Sequence, residues 1–178
     1  FAAMNGAFHD LTGVHWTLYT ITDWMGLLPI AIALGFAVLG LSQLIERKSL
    51  CRVDRSILIL GGFYVVVLAA YLLFETVVIN YRPVLVDGKL EASYPSSTTM
   101  LALCILPTAM LQLRGRIRST AVRKTVLCLL AAVTAILVVG RLISGVHWLS
   151  DILGGVFLSA GLVLLYAFIC PEDSSSNA

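Results

Sequence analysis

Apolar residues run in five long stretches along this chain, and most of the charge collects in the short segments between them. A helix that crosses a bilayer needs about 20 mostly apolar residues. The pattern therefore predicts five spans: Trp24 to Ile45, Ile57 to Ile79, Ser97 to Leu113, Val126 to Ile143 and Trp148 to Ile169. The third is the shortest, which suits a helix tilted or partly enclosed by its neighbours. Residues 1–23 and the segment from Asn80 to Ser96 are more polar and read as loops or interfacial helices. The tail from Pro171 to Ala178 reads as disordered and cytoplasmic. No internal repeat is present, and residues 1–170 read as one membrane-embedded domain.

Composition agrees with the bilayer as solvent. Of the 178 residues, 59% are hydrophobic and 12% are charged, and mean hydropathy is +0.95. Soluble domains carry about 25% charged residues, so a soluble fold would lack polar surface. A net charge of +2 is too small to indicate a nucleic-acid partner. Position matters more. Arg47, Lys48, Arg52 and Arg55 lie between the first two spans, and Arg114, Arg116, Arg118, Arg123 and Lys124 between the third and fourth. These nine of the 12 basic residues fall on one side, which basic-loop asymmetry assigns to the cytoplasm. Arg82, Lys89 and Arg141 belong to the outer side. Cys51, Cys104, Cys128 and Cys170 have neither metal-ligand nor redox-motif spacing. They read as buried inert thiols, with no disulfide and no zinc expected.

Ionisable groups near a membrane core are costly and usually functional. Here they gather at the outer helix ends: Glu75 and Arg82, then Pro95-Ser96-Ser97-Thr98-Thr99, then Arg141, His147 and Asp151. His147 and Asp151 are four apart, so on a helix they share a face. A carboxylate beside an imidazole fixes its tautomer and leaves the other nitrogen free to attack, although a structural hydrogen bond would give the same spacing. Gly145 allows a tight turn between the fourth and fifth helices. Proline followed by hydroxyl residues is a good helix start, and the free N–H groups there suit an anion as well as an ordinary N-cap. Arg82 could clamp a phosphate or snorkel to headgroups. Glu75 and Arg82, seven apart, would lie on one helical face, where Glu75 could take a catalytic part or pair with Arg82 or Arg141.

The order Arg82-Pro83, then Pro95-Ser96, then Arg141, His147 and Asp151, with Gly145, Trp148 and Ser150, resembles the three signature motifs of the type 2 phosphatidic-acid phosphatase superfamily. That resemblance implies an all-α polytopic bundle, here five spans with a sixth before Phe1, in a bacterial plasma membrane with its site facing outward. It implies a lipid phosphate or diphosphate phosphatase that uses no cofactor or metal. His147 would become a phosphohistidine, Asp151 would orient it, and Arg82, Ser96, Ser97, Thr98 and Arg141 would contact the phosphoryl oxygens. Its substrate would be a membrane lipid, either a polyprenyl diphosphate or a phospholipid phosphate.

Two motif residues differ. Glu75 stands where the family has lysine, and Thr98 stands where it has the histidine that serves as general acid, after Ser97 in place of glycine. General acids contribute typically 10²–10⁴-fold, and threonine cannot replace one. A diphosphate substrate would remove the need, because its leaving group is itself a phosphate. Glu75 could substitute as the acid, and His9, Asp10 and His15 are further candidates. Failing these, the chain would bind or transport lipid phosphates, or transfer the phosphoryl group to an acceptor other than water.

Overall fold

The computed structural model describes residues 1–170; the tail read as disordered lies outside them. Seven helices follow in order: α1 (Ala2–Thr12), α2 (Trp16–Met25), α3 (Leu27–Arg47), α4 (Arg55–Thr76), α5 (Ser97–Arg116), α6 (Thr120–Ile143) and α7 (Leu149–Ile169). The described residues form an all-helical membrane bundle. Four segments have the length and apolarity to cross a bilayer: Trp16–Arg47, Arg55–Thr76, Thr120–Ile143 and Leu149–Ile169.

The first of these is longer than the apolar run alone predicts, because α2 and α3 are almost continuous. They break at Gly26, whose N–H bonds back to Thr22 and Asp23. Pro29, in the first turn of α3, has no N–H to give the turn before it. Of the two readings for the segment before Trp24, loop or interfacial helix, α1 and α2 make it largely helical.

α5 packs against α3, α4, α6 and α7. Its buried positions include Thr99, Met100, Ala102, Cys104, Leu106, Thr108 and Gln112. Enclosure by protein explains why this helix tolerates polar groups. Thr108 bonds back to Cys104 O, and Gln112 donates to the Tyr166 hydroxyl. Leu60, Phe63, Val67, Met100, Cys104 and Tyr166 form one core cluster, and Ala102, Leu106, Leu130 and Leu137 form a second. Outward positions such as Phe157, Leu164 and Phe168 are apolar and exposed, as lipid contact requires. Of the four cysteines, Cys104 is buried, but Cys51 and Cys128 are exposed, which corrects the expectation of buried thiols.

The basic loops lie at one end of the bundle. Asp54 caps α4 there, exchanges hydrogen bonds with Gln43, and pairs with Arg47 at 2.9 Å and Arg116 at 3.3 Å. The Gln43 hydrogen bond, helped by the two arginines, holds its carboxyl below the usual aspartate range.

At the other end, α4 stops at Thr76, earlier than the predicted Ile79. Val77, Val78 and Ile79 are β-branched, which lowers helix propensity. The chain then doubles back: Arg82 N bonds Glu91 O and Ser93 N bonds Asn80 O. Asp87 and Gly88 both take positive φ at the turn. The helical spacing proposed between Glu75 and Arg82 therefore does not hold.

The α6–α7 turn depends on Gly145. Its φ is +69°, and a Cβ there would lie 1.8 Å from the Gly13 carbonyl oxygen. The neighbouring His15 N–H bonds Ser144 O at 2.9 Å, so this turn is backed directly onto the α1–α2 turn. Gly145→Ala is expected to lose more than the roughly 1–2 kcal/mol of a left-handed Cβ penalty. A melt of the detergent-solubilised variant should show a clear drop in midpoint, and a wild-type midpoint would refute this account of the turn.

Candidate active site

His147 is the last residue before the α7 N-cap, Trp148, and is only 4% exposed. Asp151 sits in the first turn of α7, fully buried. Its Oδ2 accepts the Trp148 N–H at 2.9 Å, and its carbonyl accepts the Ser96 N–H at 3.1 Å. The starts of α5 and α7 are thereby joined. Because His147 precedes the helix, the expected shared helical face does not bring imidazole and carboxylate together directly. His147 Nδ1 and Asp151 Oδ2 are 3.9 Å apart, beyond hydrogen-bond reach. The Ser93 hydroxyl lies between them, 3.2 Å from Nδ1 and donating to Oδ2. Asn80 and Ser150 approach Oδ1 at 3.4 and 3.5 Å.

Two guanidinium groups lie near the imidazole. Arg141, at the end of α6, is 2% exposed. Its Nη2 donates to Asp23 Oδ1 at 2.5 Å and Thr98 Oγ1 at 2.7 Å. Arg82 Nε lies 3.2 Å from Glu91 Oε2, close enough for an ion pair but without hydrogen-bond alignment. Among the described residues, Nε and Nη1 of both arginines are buried with no hydrogen-bond partner. Both cations face the Tyr19 ring, at 4.6 Å for Arg141 and 5.7 Å for Arg82. Burial, with Arg82 and then Arg141 nearby, holds the His147 pKa well below the ordinary imidazole range. Burial and the two cations thus favour the neutral ring over the imidazolium.

The start of α5 forms the third wall. Ser96 is its N-cap, so the N–H groups of Ser97, Thr98 and Thr99 have no acceptor within the helix. Such a terminus favours an anion. Ser96 is fully buried, and its Oγ accepts from Thr99. A small cavity is lined by Glu75, Arg82, Ser93, Ser97 and His147 among others. Glu75 thus reaches the site from the last turn of α4, but pairs with neither arginine: Asp23 and Glu91 hold those places. Of the N-terminal candidates, His9 packs on the Trp148 ring and His15 contacts Thr12 O, while Asp10 is exposed. None of the three lines this cavity.

Sequence reading missed Ser93, Asp23, Asn80 and Tyr19. Ser93 is two residues before Pro95, and Asp23 adjoins the first apolar run. Those were the available signals, and neither indicates a partner.

A second feature adjoins the site. An apolar groove of 1010 Å³ runs along α3 and α4. It begins at Asp23, Ser97 and Thr98 and extends to Leu50 and Val53 at the basic end.

Comparison with known proteins bears on this arrangement. No curated protein matches the chain. Among solved structures, the crystal structure of the first transmembrane PAP2-type phosphatidylglycerolphosphate phosphatase from Bacillus subtilis is similar in fold, with a TM-score of 0.69 at 18% identity. The match covers 99% of this chain and 89% of that one. The family model of the PAP2 superfamily matches residues 75–174. That stretch holds Arg82, Ser93, the start of α5, Arg141, His147 and Asp151, and it is more than half the chain. With the family model matched over that length and the helical bundle shared with that structure, the chain belongs to the PAP2 superfamily.

Proposed function

We propose that the protein removes a phosphoryl group from a membrane lipid phosphate or diphosphate through a phosphohistidine on His147. The observation that carries this reading is a pair of guanidinium groups near the buried His147 imidazole, each with two buried nitrogens, Nε and Nη1, that have no hydrogen-bond partner among the described residues. An unmade hydrogen bond costs about 1–3 kcal/mol, more for charged groups. A phosphoryl group would satisfy these donors together with the α5 amides.

The His147 Nε2 lone pair attacks phosphorus, and an Nε2–P bond forms as the P–O bond to the leaving group breaks. The leaving oxygen departs with the bonding pair. Water then attacks phosphorus, gives its proton to solvent, and the Nε2–P pair returns to the ring as inorganic phosphate leaves. Arg82, Arg141 and the helix terminus hold the oxygens whose charge grows in the transition state.

Thr98 accepts from Arg141, so its hydroxyl supports the phosphate clamp and supplies no strong acid. This favours a lipid diphosphate, whose departing group has a second pKa of about 6 and leaves without a proton. For a monoester, Glu75 is the carboxyl on the cavity wall. The groove along α3 and α4 suits the lipid chain. The site is at the opposite end from the basic loops, which favours an extracytoplasmic reaction. Thr98 also motivates a second reading, a lipid-phosphate binding protein without turnover.

Purified protein should release phosphate from a prenyl diphosphate faster than from a phosphatidate. His147→Ala should fall to background, and acid-labile, base-stable label from a ³²P-substrate should appear on the wild type. Retained turnover in His147→Ala would remove the mechanism, and a trapped phosphohistidine would exclude the pure binding protein. Glu75→Gln should slow the monoester more than the diphosphate.

A water-soluble short-chain diphosphate added outside intact cells should be hydrolysed. Consumption only after permeabilisation would reverse the assigned side. In detergent, Gly61→Leu, on the groove wall where an added Cβ meets nothing within 4 Å, should raise KM for a long-chain lipid more than for the short-chain analogue. Equal effects on both would detach the groove from the substrate chain.

The depressed His147 pKa makes a signed prediction. The nucleophile is active when neutral, so its protonation does not reduce kcat/KM as pH falls through 6.5. Arg82→Gln removes one cause of the depression and should move the acid limb upward against wild type on the same substrate. It should also raise KM roughly 10- to 100-fold, since a hydrogen bond to a charged group contributes about 1.5–3 kcal/mol. An unmoved limb would show that Arg82 does not act on the imidazole.

A further inference from the structure

We infer that Ser93 is a positioning residue of this site: its hydroxyl donates to Asp151 Oδ2 and accepts the Nδ1 proton of His147, holding the imidazole with its lone pair on Nε2. This rests on the reading of His147 as nucleophile.

Asp151 cannot perform the task alone. Its carboxylate stands 3.9 Å from Nδ1, whereas an N–H···O bond spans about 2.7–3.2 Å. It cannot swing closer without releasing the Trp148 N–H and the Asn80 and Ser150 side chains. Ser93 is 2% exposed, and its backbone N–H is tied to Asn80 O at 2.9 Å. The hairpin that carries Arg82 therefore also delivers this hydroxyl.

Hydrogen-bond polarity then decides the tautomer. An ionised carboxylate only accepts, and a serine hydroxyl has one proton to give and two lone pairs. With that proton committed to Asp151, Ser93 presents a lone pair to Nδ1 at 3.2 Å. Two facing lone pairs repel, so Nδ1 must carry the ring proton. A neutral imidazole has one N–H, which leaves Nε2 as the nucleophilic nitrogen. When Nε2 bonds to phosphorus the ring becomes cationic, and the Nδ1–H···Oγ–H···Oδ2 chain lets the carboxylate stabilise that charge with every proton left in place.

Turnover of a short-chain prenyl diphosphate by the purified full chain tests this. Ser93→Ala should lose about 10²-fold in kcat, within the usual range for groups that assist proton placement, with KM changed less than threefold. Asp151→Glu adds one methylene, about 1.5 Å, enough to bring the carboxylate to Nδ1 once the hydroxyl is gone. The double variant Ser93→Ala, Asp151→Glu should therefore run at least tenfold faster than Ser93→Ala. A merely structural serine would not be rescued by a longer carboxylate next door. Ser93→Ala at the wild-type rate, or a double variant no faster than Ser93→Ala, overturns the inference. Should Ser93→Ala not fold, Ser93→Cys keeps the size with a weak S–H donor and should be about tenfold slower; a wild-type rate there overturns it equally. A wild-type protein that hydrolyses no lipid phosphate and forms no phosphohistidine defeats the hydrolase reading and this inference together. An active wild type with an undiminished Ser93→Ala defeats this inference alone.

Discussion

Keeping two guanidinium groups beside a neutral imidazole at a membrane-embedded helix end is the constraint on which the remaining structure turns. Each buried ion costs several kcal/mol after relaxation, and like charges near one another add to that. The bundle offsets this with one carboxylate per cation, Asp23 for Arg141 and Glu91 for Arg82. The Tyr19 ring face offers both an additional contact, worth about 0.5–2 kcal/mol when desolvated. The compensation is incomplete: on both guanidinium groups Nε and Nη1 are buried with no hydrogen-bond partner among the described residues.

That division separates holding from binding. Nη2 of Arg141 is anchored by Asp23 and Thr98, while Nε and Nη1 have no hydrogen-bond partner among the described residues and on the proposed reading would take an oxyanion. The two substitutions relative to the family motifs fall into place around it. Thr98 secures an arginine where the motif has a histidine. Glu75 stands on the cavity wall where the motif has a lysine, which lowers the positive charge of the cradle. On the proposed reading, the threonine removes the motif's acid, which weighs toward a substrate whose leaving group needs no proton, and the glutamate supplies a carboxyl in its place for other esters.

The supporting shell is drawn from segments that look unimportant in sequence. α1 reaches α7 through Asn5, which exchanges hydrogen bonds with Ser150, and its His9 packs on Trp148. The α1–α2 turn seats Gly145. α5 holds the centre, and its first turn is bonded to Asp151 through Ser96. Rigid helix ends, joined at their first turns, fix the site more tightly than loops alone would.

Hydropathy determined much of this protein without coordinates. In lipid the backbone must satisfy its own hydrogen bonds, so the apolar runs had to be helices, and the charge-bearing helix ends had to be their exceptions. Arg141, His147, Asp151 and the start of α5 were legible as candidates for that reason, as was the need for Gly145, and Arg82 was legible as a charge close to the second apolar run although it lies beyond the helix. Tertiary structure alone decided who touches whom. α4 ended at Thr76, which separated Glu75 from Arg82; a β-branched run loosens a helix but does not say where the chain turns. The Ser93 bridge to Asp151 joins residues 58 positions apart, and the Asp23 pairing with Arg141 spans 118. Periodicity reports which face of its own helix a residue occupies. It carries no information about a hydrogen bond to another element, because that bond depends on how the helices pack and not on either residue's spacing.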